Sequence, residues 1–301
     1  MLKEMDTRGL FLLRESRRVG SETYRGIVEL VSRFGFISIE EVMYRFDFPA
    51  QKALDRLKYL TRVGLLERFE SFTIPQSFYC LSPLGIQMAE AHRVSDEIHA
   101  FRPSQYFGLN QRHDRMLVRI YLALRKIFGV NFKGWMGERT IRQNGNFSAS
   151  PIDPAGLRIL DGLFQLEIEK ERIDPHEATA PIVTKDLWWC GLELELTLKS
   201  AARYRKQFSG LAATVYDALG KTQKVPLVLF LYGTDAIGRT LRKYWSEQQD
   251  RYGQCLFVFG PADRFLKERG TTPLVRCLGP DTRDILAAEM NRVKLKMGVS
   301  Q

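Results

Sequence analysis

The sequence predicts an α/β (α+β) chain in two parts: a small helical domain closed by a hairpin, then a mixed sheet flanked by helices. Three observations predict it. Short amphipathic helical patterns and a hairpin signal succeed one another over residues 21–85. The segment LELELTLK (192–199) alternates with period two, as a strand does. The runs VPLVLFLYG (225–233) and CLFVFG (255–260) are continuous apolar strands of the kind buried in parallel sheets, and a helical pattern separates them.

Residues 21–34, SETYRGIVELVSRF, form the first helix, with Ser21 as N-cap, Gly35 as stop and Ile27, Val28, Leu30 and Val31 on the apolar face. A second helix runs over ISIEEVMYRF (37–46), with Ser38 and two glutamates in its first turn. Pro49 suits the first turn of a third helix, 50–64, which buries Leu54, Leu57, Leu60 and Val63. Its other side carries Gln51, Lys52, Asp55, Arg56, Tyr59 and Arg62. Two β-prone runs, 66–69 and 78–81, flank a polar tip containing Pro75, which signals a hairpin. Ser82 starts a further helix. Three helices closed by a hairpin predict a winged helix-turn-helix over 21–93, with the third helix placed for a DNA major groove and the hairpin as wing. Residues 1–20 are a lead-in segment and 94–112, interrupted by Pro103, Gly108 and Asn110, a connector.

The second domain, 113–301, opens with an amphipathic helix (113–128) and a strand (129–136). One or two strands lie around the turn at Asp161-Gly162. A polar surface loop (171–185) leads to the strand 187–200, then helix 201–220. Strand 225–233, helix 235–252, strand 255–260, a last strand at 273–279 and a helix at 282–296 complete it. Helix, three strands, helix, strand is the order of a restriction-endonuclease-like, PD-(D/E)xK-like fold, a mixed sheet with helices on its faces.

Composition narrows the chemistry. A length of 301 residues suits two domains, and no apolar run approaches the ~20 residues that span a bilayer. LFLL (10–13) beside Arg14, Arg17 and Arg18 reads as a lead-in helix, not a signal peptide. Cys80, Cys190, Cys255 and Cys277 stand singly, which suits a reducing cytoplasm, and the four histidines make no zinc pattern. The net charge of +10 is uneven. Residues 1–100 balance 14 cations against 14 anions, 101–150 carry 9 against 2, 151–200 carry 5 against 10, and 201–301 carry 17 against 9. Basic segments flanking an acidic one suit a polyanionic partner and a carboxylate cluster that could hold a cation.

Restriction-endonuclease-like folds set an aspartate on one strand and Glu-x-Lys on the next. Two carboxylates hold Mg²⁺ or Mn²⁺, and the metal and lysine activate water and neutralise the phosphate. Asp161 and Glu195 are the candidate carboxylates, with Glu193 beside Glu195 and Glu138 as a third ligand. Thr197 stands where the lysine belongs. Lys199 is the substitute, two residues further on the same face, ~6–7 Å along the strand. The same acidic face can equally be spent on ion pairs with Arg203 and Arg205. No Gly-rich phosphate loop and no Ser/His/Asp or Cys/His arrangement is present. Tyr204, Phe208 and the tryptophans 135, 188 and 189 read as core.

Taken together, YCLSPLG (79–85), HDRMLVRIYLAL (113–124), GWMGERTIR (134–142), LDGLFQL (160–166), ELELTLKSAARYRKQF (193–208) and LVLFLYG (227–233) resemble the replication-relaxation proteins, also called MobC-like mobilisation proteins, of plasmids and integrative elements. The resemblance spans roughly residues 20–260. It implies a double-stranded-DNA-binding accessory protein that helps a relaxase at its origin, with Asp161, Glu193, Glu195 and Lys199 matching the family's acidic strand. Docking falls to Gln51, Lys52, Arg56, Tyr59 and Arg62 on the third helix, Arg68 and residues 73–76 on the wing, and Arg203 and Arg205 on the second domain. A metal-dependent DNA endonuclease and a winged-helix transcriptional regulator, the latter a homodimer on a palindromic site, are the alternatives.

Overall fold

The computed structural model describes residues 19–70, 76–95, 97–101, 111–138, 140–141, 160–172, 182–220, 227–249 and 256–267. The expected lead-in helix, most of the wing tip, Cys255, Cys277 and the strand and helix expected beyond 270 lie outside the described residues. Two compact units form, Met1–Leu122 and Ala123–Gln301.

In the first unit, helix α1 (Val19–Phe34) buries Tyr24, Ile27, Val28, Leu30 and Val31 on one face. Strand β1 (Phe36–Ser38) follows, where a helix start was expected. All three of its residues are buried, and they pair with Cys80, Tyr79 and Phe78. That cross-strand pairing outweighs the local helical pattern. Helix α2 (Ile39–Phe46) then begins on Ser38, whose hydroxyl accepts the Glu40 N–H at 3.2 Å. Glu41 closes a capping box by accepting the Ser38 N–H at 2.8 Å. Helix α3 (Ala50–Arg62) buries Ala53, Leu57 and Leu60, while Leu54 and Val63 are only half-buried. Gly64, at φ +79°, takes the left-handed conformation that lets the chain leave α3.

Strands β2 (Leu66–Glu70) and β3 (Ser77–Leu81) form the expected hairpin, and the antiparallel sheet has the order β1-β3-β2. Helix α4 (Pro83–Ala91) starts on Ser82, which accepts the Gly85 N–H at 2.9 Å. The expected connector is partly built onto this unit: the His99 N–H donates to the Ser32 carbonyl at 2.7 Å, and Phe101 packs on Phe36 and Phe69. Helix α5 (Gln111–Phe128) follows, and the division between the units falls within it.

The second unit carries one five-stranded sheet, order β4-β5-β6-β7-β8, from β4 (Phe132–Gly137), β5 (Gly162–Arg172), β6 (Ile182–Glu195), β7 (Leu227–Tyr232) and β8 (Leu256–Pro261). The first three are antiparallel neighbours; β6-β7 and β7-β8 are parallel, connected through α6 (Ala201–Gly220) and α7 (Asp235–Gln249). A short α8 (Ala262–Lys267) follows. Strand is found at both ends of the expected 171–185 loop, because β5 runs to Arg172 and β6 starts at Ile182. One face of the sheet packs Val228, Phe230, Tyr232, Phe257 and Phe259 against Tyr204, Phe208, Leu211, Leu241 and Trp245 of α6 and α7. The other face buries Trp135, Phe164, Leu192, Leu194, Leu229 and Leu231. Among the described residues no helix is long and apolar enough to cross a membrane.

A Cβ on Gly85 would stand 2.0 Å from the Leu65 carbonyl oxygen, so backbone must move to admit it. Gly85→Ala should therefore cost the first unit ~1–3 kcal/mol. Urea denaturation followed by circular dichroism checks it, since all four tryptophans lie in the second unit.

Candidate functional site

The outward side of α3 separates into two stripes. Gln51, Asp55, Lys58 and Arg62 are exposed at i, i+4, i+7 and i+11, a single line opposite Ala53, Leu57 and Leu60. Gln51 donates to Asp55 at 2.8 Å along it. Lys58 was not among the residues expected here, although the spacing from Gln51 marks it. The second stripe turns toward α1. Arg56, half-buried, donates to the Tyr24 hydroxyl at 2.6 Å with its guanidinium 5.0 Å from that ring, and Tyr59 packs on Tyr24 at 5.0 Å. Arg56 and Tyr59 are therefore half-buried and lean toward α1, where full exposure was expected. Lys52 is exposed, its ammonium 3.9 Å above the Phe48 ring. Arg68 on β2 is exposed and pairs with Glu70 and Ser77, each at 3.0 Å.

Part of the basic excess in 101–150 is consumed within the first unit. Arg115 meets Glu40 at 2.8 Å, and Arg119 meets both Glu40 and Glu41, the latter at 3.1 Å. Glu41 is 1% exposed, so the two guanidiniums answer a carboxylate that α2 carries out of water. The capping spacing of Ser38 and Glu41 is legible in sequence; the arginines 70 and more positions away are not.

In the second unit the register brings two acidic positions together. Gly137 pairs with Gly162 and Gly162 with Leu192. Asp161, the position before β5, reaches the end of β6 beside Glu193 and Leu194, whereas Glu138 lies past the end of β4, where the chain is already helical. Strand β6 ends at Glu195, so Thr197 and Lys199 do not continue its face, and Leu198 is 63% exposed where alternation would bury it. Nor is the acidic face solvated. Glu193 and Glu195 are 1% and 2% exposed, because α6 and α7 cover that side of the sheet as fully as the leucines are covered on the other.

Each acid has a partner from the chain. Asp161 accepts the Leu194 N–H at 2.7 Å. Glu193 accepts from Gln207 of α6 at 3.3 Å, and Gln207 is itself buried. Glu195 accepts from the Thr197 N–H and hydroxyl, each at 3.4 Å, and is ion-paired with Lys199. The Tyr204 hydroxyl accepts the Lys199 N–H at 3.1 Å and donates to the Thr197 carbonyl at 3.3 Å, holding that turn. Lys199 thus meets Glu195 by folding back from a turn, not from the strand face on which it was expected. Tyr204, Phe208 and Trp135 are core, as expected, while the Trp188 side chain lies outside those described. Among the described residues no three His, Cys, Asp or Glu side chains can hold one metal ion. The expected Mg²⁺ or Mn²⁺ set of Glu138, Asp161, Glu193 and Glu195 does not fit the ion in this arrangement. Arg203 is exposed, and Arg205 is held by Glu247 at 2.8 Å and by the Tyr244 ring at 5.0 Å. The acidic face does not use them.

Comparison of the chain with protein-family models, curated proteins and solved structures gives no match.

Two measurements follow from this geometry. Lys199→Met leaves a nearly buried Glu195 charge without its cation, which should destabilise the second unit by ~3 kcal/mol. Glu195→Gln in the same chain should restore most of that loss, read by tryptophan fluorescence in guanidinium. A pair worth under ~1 kcal/mol would show the contact to be a mere surface one. The thiols give the second. Burial, with Glu67 adding to it, pushes the Cys80 thiol up to about 11, and burial pushes Cys190 up to about 12. At pH 8 fewer than roughly one in a thousand of either is thiolate. Both should resist Ellman's reagent in the native protein and react once guanidinium unfolds it, checked by peptide mapping.

Proposed function

We propose that this chain is a double-stranded-DNA-binding accessory protein of plasmid or mobile-element mobilisation, acting beside a relaxase at its origin, and that its second unit holds DNA without cutting it. The observation that carries the reading is the exposed line Gln51, Asp55, Lys58 and Arg62 on α3. It stands on a helix-strand-helix-helix-hairpin unit, an order that supports a winged helix-turn-helix reading. Lys58 and Arg62 supply cations for phosphate and base edges, Gln51 an amide for a base edge, and Arg68 a cation on the wing. Lys52 lies beside the line and reaches the backbone; Arg56 and Tyr59 hold the helix in place.

The second unit supports a restriction-endonuclease-like reading of its fold: an antiparallel three-strand meander, then parallel crossovers through α6 and α7. Its acids are occupied by Leu194, Gln207, Thr197 and Lys199, which favours a retained fold over a metal-dependent cutter. Arg203 is the exposed cation there that remains a DNA contact in this reading. The placement of Asp161 beside Glu193 and Leu194 of β6 is the observation on the side of the endonuclease.

Fluorescence anisotropy with duplex from beside a transfer origin tests the main reading. Lys58→Glu with Arg62→Glu should weaken binding about a hundredfold at 0.1 M salt, and the wild-type affinity should fall steeply as salt rises. Unchanged affinity in the folded variant would remove α3 from the interface. Supercoiled plasmid with Mg²⁺ or Mn²⁺ should stay intact; nicking that disappears in Asp161→Ala and Glu195→Ala would establish the endonuclease instead.

A further inference from the structure

A cleft of ≈ 450 Å³ opens between α1, α2 and α3, beside the exposed line of α3. Its charged lining is Arg25, Arg45, Lys52 and Arg56 against Glu22 and Glu29. Four cations from three helices therefore face one concavity holding two anions.

How three of those cations are held matters more than their number. The Arg56 guanidinium lies over the Tyr24 ring and donates to its hydroxyl. The Lys52 ammonium stands 3.9 Å from the Phe48 ring, and the Arg45 guanidinium 5.4 Å from the Phe46 ring. Phe46 and Phe48 in turn stack on each other, 5.5 Å apart and 26° from parallel. A ring face or a neutral hydroxyl fixes a cation in position without cancelling its charge, whereas a carboxylate would cancel it. Of the two acids, Glu29 also lies 4.0 Å from Arg33, on its own helix. The result is that Lys52 and Arg56 are oriented by rings and a hydroxyl instead of a carboxylate, and an incoming anion relieves the repulsion among the cations of the cleft. Guanidinium forks match the oxygens of a phosphate two at a time, and the cleft has room for the group and its ester substituent.

We propose that this cleft binds a phosphate group. Its source is a strand of the DNA docked on α3, which rests on the DNA-binding reading above, or a free phosphate or nucleotide, which does not.

The test uses the full chain, with Arg45→Ala/Lys52→Ala as the variant and circular dichroism as the check on folding. Should the pair fail to fold, Arg45→Met and Lys52→Gln singly take its place. Calorimetric titration with pyrophosphate should show saturable binding to wild type that weakens tenfold or more in the variant. In parallel, duplex affinity is followed against salt. A drop of about tenfold, with the slope of log K against log salt shallower by about one, identifies the DNA strand as the source. Loss of pyrophosphate binding with an unchanged duplex slope identifies a free phosphate. A folded variant that matches wild type in both titrations overturns the proposal. If wild type binds no duplex at all, the DNA-binding reading falls and the pyrophosphate titration alone decides the cleft.

Discussion

A carboxylate taken out of water has to be met by a cation or by hydrogen-bond donors, and three of them govern how this chain is built. Glu41, Glu193 and Glu195 are each 1–2% exposed. Leaving any one unanswered would cost more than most single contacts contribute. Glu41 is answered by the Ser38 N–H and by Arg119, with Arg115 beside Glu40; this ties the start of α5 to the start of α2. Glu193 and Glu195 lie on β6, the central strand of the second unit's sheet. Their partners come from α6 and from the turn that feeds it.

The same requirement shapes the end of β6. Period-two alternation alone would carry the strand through Lys199. Instead the chain turns after Glu195, which lets the Thr197 amide and hydroxyl and the Lys199 ammonium converge on one carboxylate. Tyr204, a core residue of α6, then fastens that turn through its hydroxyl. A strand that continued straight would have sent the lysine away from the acid it neutralises. The acid-rich strand is thus spent on architecture and offers no open metal site among the described residues.

On α3 the economy is different. Half of its polar stripe packs onto Tyr24 and fixes the helix against α1, and the other half remains exposed. Aromatic faces carry much of the positioning: Tyr24, Phe46 and Phe48 each have a cation over the ring. Positive potential is kept while the side chains lose freedom.

Local chemistry made much of this legible in advance. The helices, the hairpin, the α6 and α7 crossovers and the capping role of Ser38 follow from apolar spacing, capping residues and β-branched runs, because these signals act within a few positions. The buried faces of α1 and α6 were readable for the same reason. Legibility stopped wherever a side chain's partner is distant in sequence. Arg56 reads as an outward cation until Tyr24, 32 residues away, is brought beside it. The strand at Phe36–Ser38 needs β3 to exist, and the burial of Glu193 and Glu195 needs α6 and α7 laid across the sheet. Sequence by itself determined the α/β class, most of the order of elements and the identity of the acidic strand, since periodicity and turn chemistry are local. Tertiary structure alone decided which acids are buried, which cations answer them and which face of α3 stays exposed, because charge in a low-dielectric interior is set by what packs against it.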